Sequence, residues 1–429
     1  MTGRLNHFQR TMIHWNDLHP YNAIVAVRLP ALLVPERLAR IINGTLEAHG
    51  LTGLSLNRGA GTFHYAGGSV VCEIKHLAGE KNFHSSLHSE IETQLNTAFV
   101  QTERFNPFRF FTLSEPDGFW LGVVFLHVIA DGEAIMLLVR EMVETYLNAG
   151  DELSFQPLNL HPQCRDGLLA HPKMLAKKLA ALPALIKDMR NSSRRGCHRV
   201  DDFSNRFTRF TLDSKDVRVL VKTAKAWNIT LNDLFLSLML KCFSGLASDR
   251  LHHRKRREIS IGCIVNLRKD LGLIGQRLFA PFLGSFVVTH EVPGDIGLKE
   301  LAADIRRQTL AIKQGRLYLG SVLEFAFGRF MSSWFSPARQ KTFYAKNFPL
   351  WGGLTNINLN AFWPQSSGGK PLDCFAAAPT GPVVPLVFSF MTVGDIMNVT
   401  ISYRPAFYSE ANIGQVVGIF REQIAQLKS

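Results

Sequence analysis

The chain has 429 residues, more than one hydrophobic core usually organises, so two domains are expected. Hydrophobic residues make up 46% and charged residues 19%, which excludes a disordered chain. The net charge of +13 favours anionic partners, whether nucleic acid, anionic lipid, a phosphorylated cofactor or an acidic carrier protein, and says nothing about fold.

Taken in chain order, Phe8 to Trp15 reads as a short amphipathic helix, Ala23 to Leu29 as an apolar strand, and Pro35 to Gly50 as a helix. Cys72 to His76 is expected to be a strand. Phe108 to Leu113 and Phe119 to Leu126 follow as two strands parted by the turn signal SEPDG. Glu133 to Leu147 is a helix, with Ile135, Leu138, Val139, Met142 and Tyr146 at helical spacing. This alternation predicts an α/β layered domain over residues 1–165. Residues 166–200, punctuated by proline and strongly basic, are expected to be a crossover linker, and residues 201–429 repeat the style of the first half. There, strands are expected at Thr208 to Leu212, Ile259 to Val265, Phe286 to His290, Thr355 to Asn360, Val384 to Thr392 and Asn398 to Tyr403. Helices are expected at Ser214 to Trp227, Thr230 to Phe243, Leu298 to Lys313 and Glu410 to Leu427.

Phe outnumbers Tyr 31 to 7, which suggests large apolar cores or an apolar tunnel. The six cysteines form no C-x-x-C pair and no metal-ligand spacing, so reduced thiols in a cytoplasm are expected and no metal site. The N-terminus lacks an apolar leader core, and no apolar run is long and uninterrupted enough for a membrane span.

The informative run is Phe125-Leu126-His127-Val128-Ile129-Ala130-Asp131-Gly132, between a predicted strand and a predicted helix. An apolar strand there delivers a histidine to its end, where side chains leave the sheet and meet a cleft. A neutral imidazole, with its ordinary pKa of about 6.5, is suited to act as general base. The competing reading makes Asp131 a helix N-cap and His127 a satisfied strand-end histidine. Gly132 is expected to adopt a backbone conformation that a Cβ forbids.

The wider sequence decides between these. LHVIADGEAI resembles the H-H-x-x-x-D-G signature of the chloramphenicol acetyltransferase superfamily, which includes the condensation domains of nonribosomal peptide synthetases. LNHFQRTMIHWNDLHPYNAIVAVRL is similar to the opening helix and strand of condensation domains, and WNITLNDLFLSLML to a helix of their second half. IGCIVNLRKDLG with APFLGSFVV, and GGLTNINLN with VTISYRPAFY, resemble further segments in the same order. Two departures stand out: Leu126 replaces the first histidine, and the plant-type D-F-G-W-G motif is missing.

The resemblance implies two similar chloramphenicol-acetyltransferase-like α/β subdomains with an active-site tunnel between them. It implies an acyltransferase with His127 as catalytic base, moving an acyl group from a coenzyme A or phosphopantetheine thioester to a hydroxyl or amine. Asp131 and Gly132 would be structural, with Asp131 paired to an arginine, for which Arg268 is the candidate. Thr355 and Asn356 are candidates for the oxyanion, and Gly284 and Ser285 for the channel wall. Arg254, Lys255, Arg256 and Arg257 are candidates for docking an anionic donor, either acyl-CoA or an acyl carrier protein. The acceptor is expected to be a small molecule or lipid, and the chain a cytoplasmic monomer with no cofactor and no nucleic-acid partner. Leu168 to Met189 mixes Leu, Ala and Lys as interfacial helices do, which leaves a peripheral membrane contact open. The other functional class in view is a catalytically silent module that binds a carrier protein or lipid.

Overall fold

In the computed structural model, the described residues are 1–77, 83–148, 155–161, 172–199, 201–321, 347–363 and 371–428. Within 322–346, positions 323, 324, 328, 330, 334–336, 339, 343 and 344 are also described.

The first half opens with β1 (Thr2–Arg4), α1 (His7–Leu18), β2 (Asn22–Leu29) and α2 (Pro35–Ala48). It continues through β3 (Leu54–Asn57), β4 (Thr62–Tyr65), β5 (Ile74–Leu77) and α3 (Phe83–Asn96). It closes with β6 (Phe108–Glu115), β7 (Gly118–Leu126) and α4 (Gly132–Leu147). The crossover holds β8 (Asn159–Leu160) and α5 (Pro172–Asn191), so the expected linker at 166–200 carries a helix with Pro183 inside it. Of the interfacial stretch Leu168 to Met189, residues 168–171 lie outside the described residues.

The second half contains β9 (Arg206–Leu212), α6 (Ser214–Ala226), α7 (Leu231–Leu246), β10 (Ile259–Asn266), β11 (Leu278–Phe279), β12 (Leu283–His290) and α8 (Leu298–Gln314). It ends with β13 (Leu350–Asn358), β14 (Asp373–Ala377), β15 (Leu386–Val393), β16 (Ile396–Tyr403) and α9 (Glu410–Gln426).

Two main sheets result. The first has the order β14-β2-β7-β6-β5, and the second β12-β10-β13-β15-β16-β9. All nine residues of β7 are buried, which accounts for its continuous apolar sequence where a half-exposed strand would alternate. Each sheet has its own core. One gathers β2, β6, β7, α2 and α4, and the other gathers α7, α9 and the six-stranded sheet. The halves are not independent along the chain. β14 leaves the second half and pairs antiparallel with β2, so residues 201–429 lend a strand to the first sheet.

Among the described residues no single helix is long and apolar enough to cross a membrane. The strand expected at Cys72 to His76 starts two residues later and ends one residue later, and β13 starts at Leu350 instead of Thr355. The small antiparallel sheet β1-β4-β3 and the helix α3 were not expected from sequence.

Candidate active site

His127 is the first residue beyond β7, where the strand has just run out of partners. Leu126 still pairs with Asn22 of β2, and the next backbone amide, that of His127, donates to the Tyr21 carbonyl at 3.1 Å. This brings the Tyr21 ring flat against the imidazole, with centroids 5.7 Å apart and planes 13° apart. Phe125 presses edge-on from below at 5.9 Å. Gln9, which also completes the capping box of α1, donates its Nε2 to the Val128 carbonyl at 3.0 Å and ties the histidine loop to that helix.

The imidazole itself is oriented by one hydrogen bond. Its Nδ1 lies 2.9 Å from the Ala130 carbonyl oxygen. A carbonyl only accepts, so this partner places the proton on Nδ1 and leaves the lone pair on Nε2. Burial holds the His127 pKa below its ordinary 6.5, and it outweighs the Ala130 bond and the Asp131 charge, which both pull upward. The ring is therefore neutral at neutral pH.

Asp131 caps α4 by accepting from the Ala134 amide at 2.9 Å, as the competing reading of the motif requires. It does much more than cap. Arg268 grips it bidentately, Nη1 to Oδ2 at 2.8 Å and Nη2 to Oδ1 at 3.0 Å. The Phe282 amide donates to Oδ2 at 2.8 Å. Asp131 is 1% exposed and Arg268 is 3% exposed, so this pair is a buried bolt between the halves. Arg268 also spans to the Ala280 carbonyl at 3.1 Å, and Glu133 lies 3.4 Å from its Nε. Asn266 donates to the Glu133 carboxylate. The loop bearing His127 is thus clamped to the 267–282 segment of the second half.

The clamp faces a cavity of about 210 Å³, far more than a single buried water needs. Phe8, Thr11 and Trp15 of α1 line it, with Tyr21, His127, strands β10, β12, β13 and β15, and Met189 of α5. The wall is overwhelmingly apolar. Its aliphatic hydroxyls are those of Thr11, Ser285, Thr355 and Ser389, and Tyr21 and Tyr344 also line it. Thr355 and Ser389 are register partners across β13 and β15, so both hydroxyls stand on the same face. The Ser389 Oγ is buried and lacks a hydrogen-bond partner among the described residues.

Several expectations need correction. Gly132 does not adopt a left-handed backbone; its φ is not among the positive ones. A Cβ there would come within 2.4 Å of the Ile357 Cδ1, a side-chain end that would have to turn aside to admit it. Asn356 does not line the cavity. It points to the opposite face of β13, where its Nδ2 donates to Asn232 Oδ1 of α7 at 2.9 Å. Gly284 is also off the wall, with Leu267 Cδ2 and the Tyr318 carbonyl each 2.9 Å from where its Cβ would stand, while Ser285 does line the cavity. The basic run splits in two. Arg256 donates to the Ser192 carbonyl at 3.3 Å and Arg257 pairs with Glu291 at 2.6 Å, leaving Arg254 and Lys255 as its exposed, unpaired members among the described residues. Ser192 lies three residues after Met189, which lines the cavity, so Arg256 bonds to the chain close to that wall.

Sequence reasoning missed Tyr21, Gln9, Ser389 and Glu133. Tyr21 was readable only as the residue before a strand, and its approach to His127 follows from pairing register. Gln9 left a trace, a capping-box partner three residues after Asn6.

The Gly132 contact gives a prediction. Gly132→Ala should destabilise the chain by about 1–3 kcal/mol through overpacking and lower turnover by displacing the histidine loop. Ile357→Val removes the methyl that collides, so the double variant should regain most of both in urea titration and assay.

No family model matches the chain, and no curated protein does. Solved structures do share its architecture. The epimerization domain from the third module of tyrocidine synthetase B is 14% identical, with 99% of this chain and 97% of that chain covered and a TM-score of 0.68. The first condensation domain of the calcium-dependent antibiotic synthetase, solved with a substrate analogue, is 11% identical, with 100% and 96% covered and a TM-score of 0.73. The condensation domain of the monacolin K polyketide synthase is 12% identical, with 99% and 97% covered and a TM-score of 0.68. At such identities the likeness shows the fold. It is the condensation-domain fold with two similar α/β subdomains, in line with the resemblance read in the sequence.

Proposed function

We propose that the chain is an acyltransferase in which His127 Nε2 removes the proton of an acceptor hydroxyl or amine as that atom attacks a thioester carbonyl. The observation that carries this reading is the neutral, Nδ1-protonated imidazole held rigidly on the wall of an apolar cavity. As the new C–O or C–N bond forms, the proton passes to Nε2 and the carbonyl becomes an oxyanion. When the C–S bond breaks, Nε2 returns the proton to the leaving thiolate, so no cofactor and no covalent enzyme intermediate is needed. Thr355 and Ser389 supply hydroxyls on the cavity face, and they are the donors we assign to the oxyanion. Asp131 and Arg268 act as positioning residues for the loop. The apolar wall suits an aliphatic or aromatic acyl group.

The fold neighbours come from peptide and polyketide synthetases, which favours a thioester tethered to a carrier protein over free acyl-CoA as the donor. The test is a screen of acyl thioesters with detection of free thiol. Acceptor-dependent thiol release supports acyl transfer. Inversion of a substrate stereocentre without thiol release would point instead to the chemistry named for the tyrocidine neighbour.

Donor docking has its own expected result. The Arg254→Glu/Lys255→Glu variant should raise the donor KM and leave single-turnover chemistry unchanged. Salt should mimic it, since screening shortens from about 10 Å at 0.1 M to about 3 Å at 1 M. A carrier protein, with an extended acidic face, should respond more than coenzyme A. A donor KM indifferent to both changes would make these residues plain surface.

A further inference from the structure

The segment preceding β13 is unlike the rest of the chain. Residues 321–348 hold eight aromatic side chains in 28 positions, while aromatics are 10% of the whole sequence. They also hold four basic residues and one acid, Glu324. Elsewhere among the described residues the large rings are buried or half-buried. Here Phe330 is 57% exposed and Trp334 is 76% exposed, and the two rings meet edge to face at 5.8 Å. Water gains nothing from such a pair, and folding has not hidden it.

The same segment reaches the cavity. Glu324, Gly328, Tyr344 and Phe348 line its wall. Between tip and wall the rings run on: Phe335 packs on Phe343 at 5.3 Å, and Tyr344 on Phe348 at 6.0 Å. An exposed Phe–Trp pair, a basic surrounding sequence and a run of ring contacts that ends on the cavity wall occur together on one short stretch.

We propose that this aromatic tip is a docking surface for a lipid bilayer whose headgroups are anionic, seating the mouth of the cavity against the membrane so that an apolar substrate passes in without crossing water. Trp partitions to the boundary of headgroups and acyl chains, where its ring is part apolar and part hydrogen-bonding, and Phe adds apolar area buried beside it. The net charge of +3 across the segment and +13 across the chain complements a surface of anionic lipid, and each nearby Lys or Arg strengthens that attraction. This surface is distinct from the α5 stretch, whose composition alone suggested membrane contact. The proposal does not rest on acyl transfer, because adhesion is read without turnover.

The experiment is co-sedimentation of the full chain with vesicles of phosphatidylcholine alone or mixed with phosphatidylglycerol. Wild type should partition to the mixed vesicles and much less to phosphatidylcholine. The Phe330→Ser/Trp334→Ser variant should lose about tenfold or more of that partitioning, since two ring burials are removed. It should retain the wild-type thermal midpoint, and thioester turnover with a water-soluble acceptor should be unchanged. Trp334→Tyr, which keeps an interfacial ring, should bind nearly as wild type and guards against loss of fold as the cause. His127→Ala should sediment like wild type, which separates adhesion from catalysis. The proposal is overturned if wild type stays in the supernatant with mixed vesicles, or if the double variant sediments equally. It is also overturned if the tip instead drives a concentration-dependent dimer that the double variant abolishes, since the occupant would then be a second copy of the chain.

Discussion

His127→Ala should lower acceptor-dependent thiol release by about 10²–10⁴, the usual contribution of a positioned general base, while the chain stays folded. The fold should tolerate it because the ring hangs on a single side-chain hydrogen bond, to the Ala130 carbonyl, and its backbone amide keeps its bond to Tyr21. Under the proposed reaction the intact protein should also show a definite pH dependence. The base acts only when deprotonated, and burial holds its pKa below 6.5, so kcat/KM should rise with pH to a plateau already reached by neutrality. A midpoint above 6.5 would mean that Nε2 is not the base or that the ring is paired with an acid in the working complex. Near-wild-type turnover by the alanine variant would end the mechanism. Tyr21 offers a second handle. Tyr21→Phe keeps the stacked ring and removes the hydroxyl, so it should leave this limb where it is.

The limits of the sequence reading are physical. Long periodic segments were legible: α4 begins within one residue of where Asp131 and the Ile135-Leu138-Val139-Met142 stripe placed it. The same holds for α7, whose capping Thr230 reaches the Asp233 amide. What periodicity cannot give is parity. Thr355 and Asn356 are neighbours on β13, and successive side chains point to opposite faces. Nothing in the local sequence says which face is the cavity; along β13 Gly353, Thr355 and Ile357 line it, Leu350 and Leu354 reach it as well, and Asn356 bonds away to Asn232. On β12 Ser285 lines the cavity and Gly284 does not. Nor can a local pattern show that β14 crosses to the first sheet, or that Tyr21 meets His127, because both are set by pairing between distant strands. The Asp131–Arg268 contact was reachable only through family resemblance, since the two residues are separated by 137 positions.

Asp131→Asn should lose stability and activity together. The substitution keeps shape and could still accept from the Ala134 amide, so the cap survives. The other side fails. Carboxylate oxygens accept from Arg268 Nη1, Arg268 Nη2 and the Phe282 amide, and an Asn side chain must set its NH2 against at least one of these donors. The larger loss is charge. Arg268 is 3% exposed and would be left with Glu133, at 3.4 Å from its Nε, as its nearest carboxylate. Glu133 is a poor substitute, because burial already raises its pKa and its geometry allows no bidentate grip. Breaking one side of a buried pair typically costs about 3–5 kcal/mol. Urea titration should show that loss, with turnover falling because the histidine loop is no longer bolted to the 267–282 segment. Adding Arg268→Met to Asp131→Asn should return part of the stability, since an apolar side chain of similar length replaces a stranded cation. Activity should recover less, because neither replacement holds the loop by a bidentate bond. If Asp131→Asn retained wild-type stability and still lost turnover, Asp131 would have to act on the substrate directly, and its role as a positioning residue would be wrong.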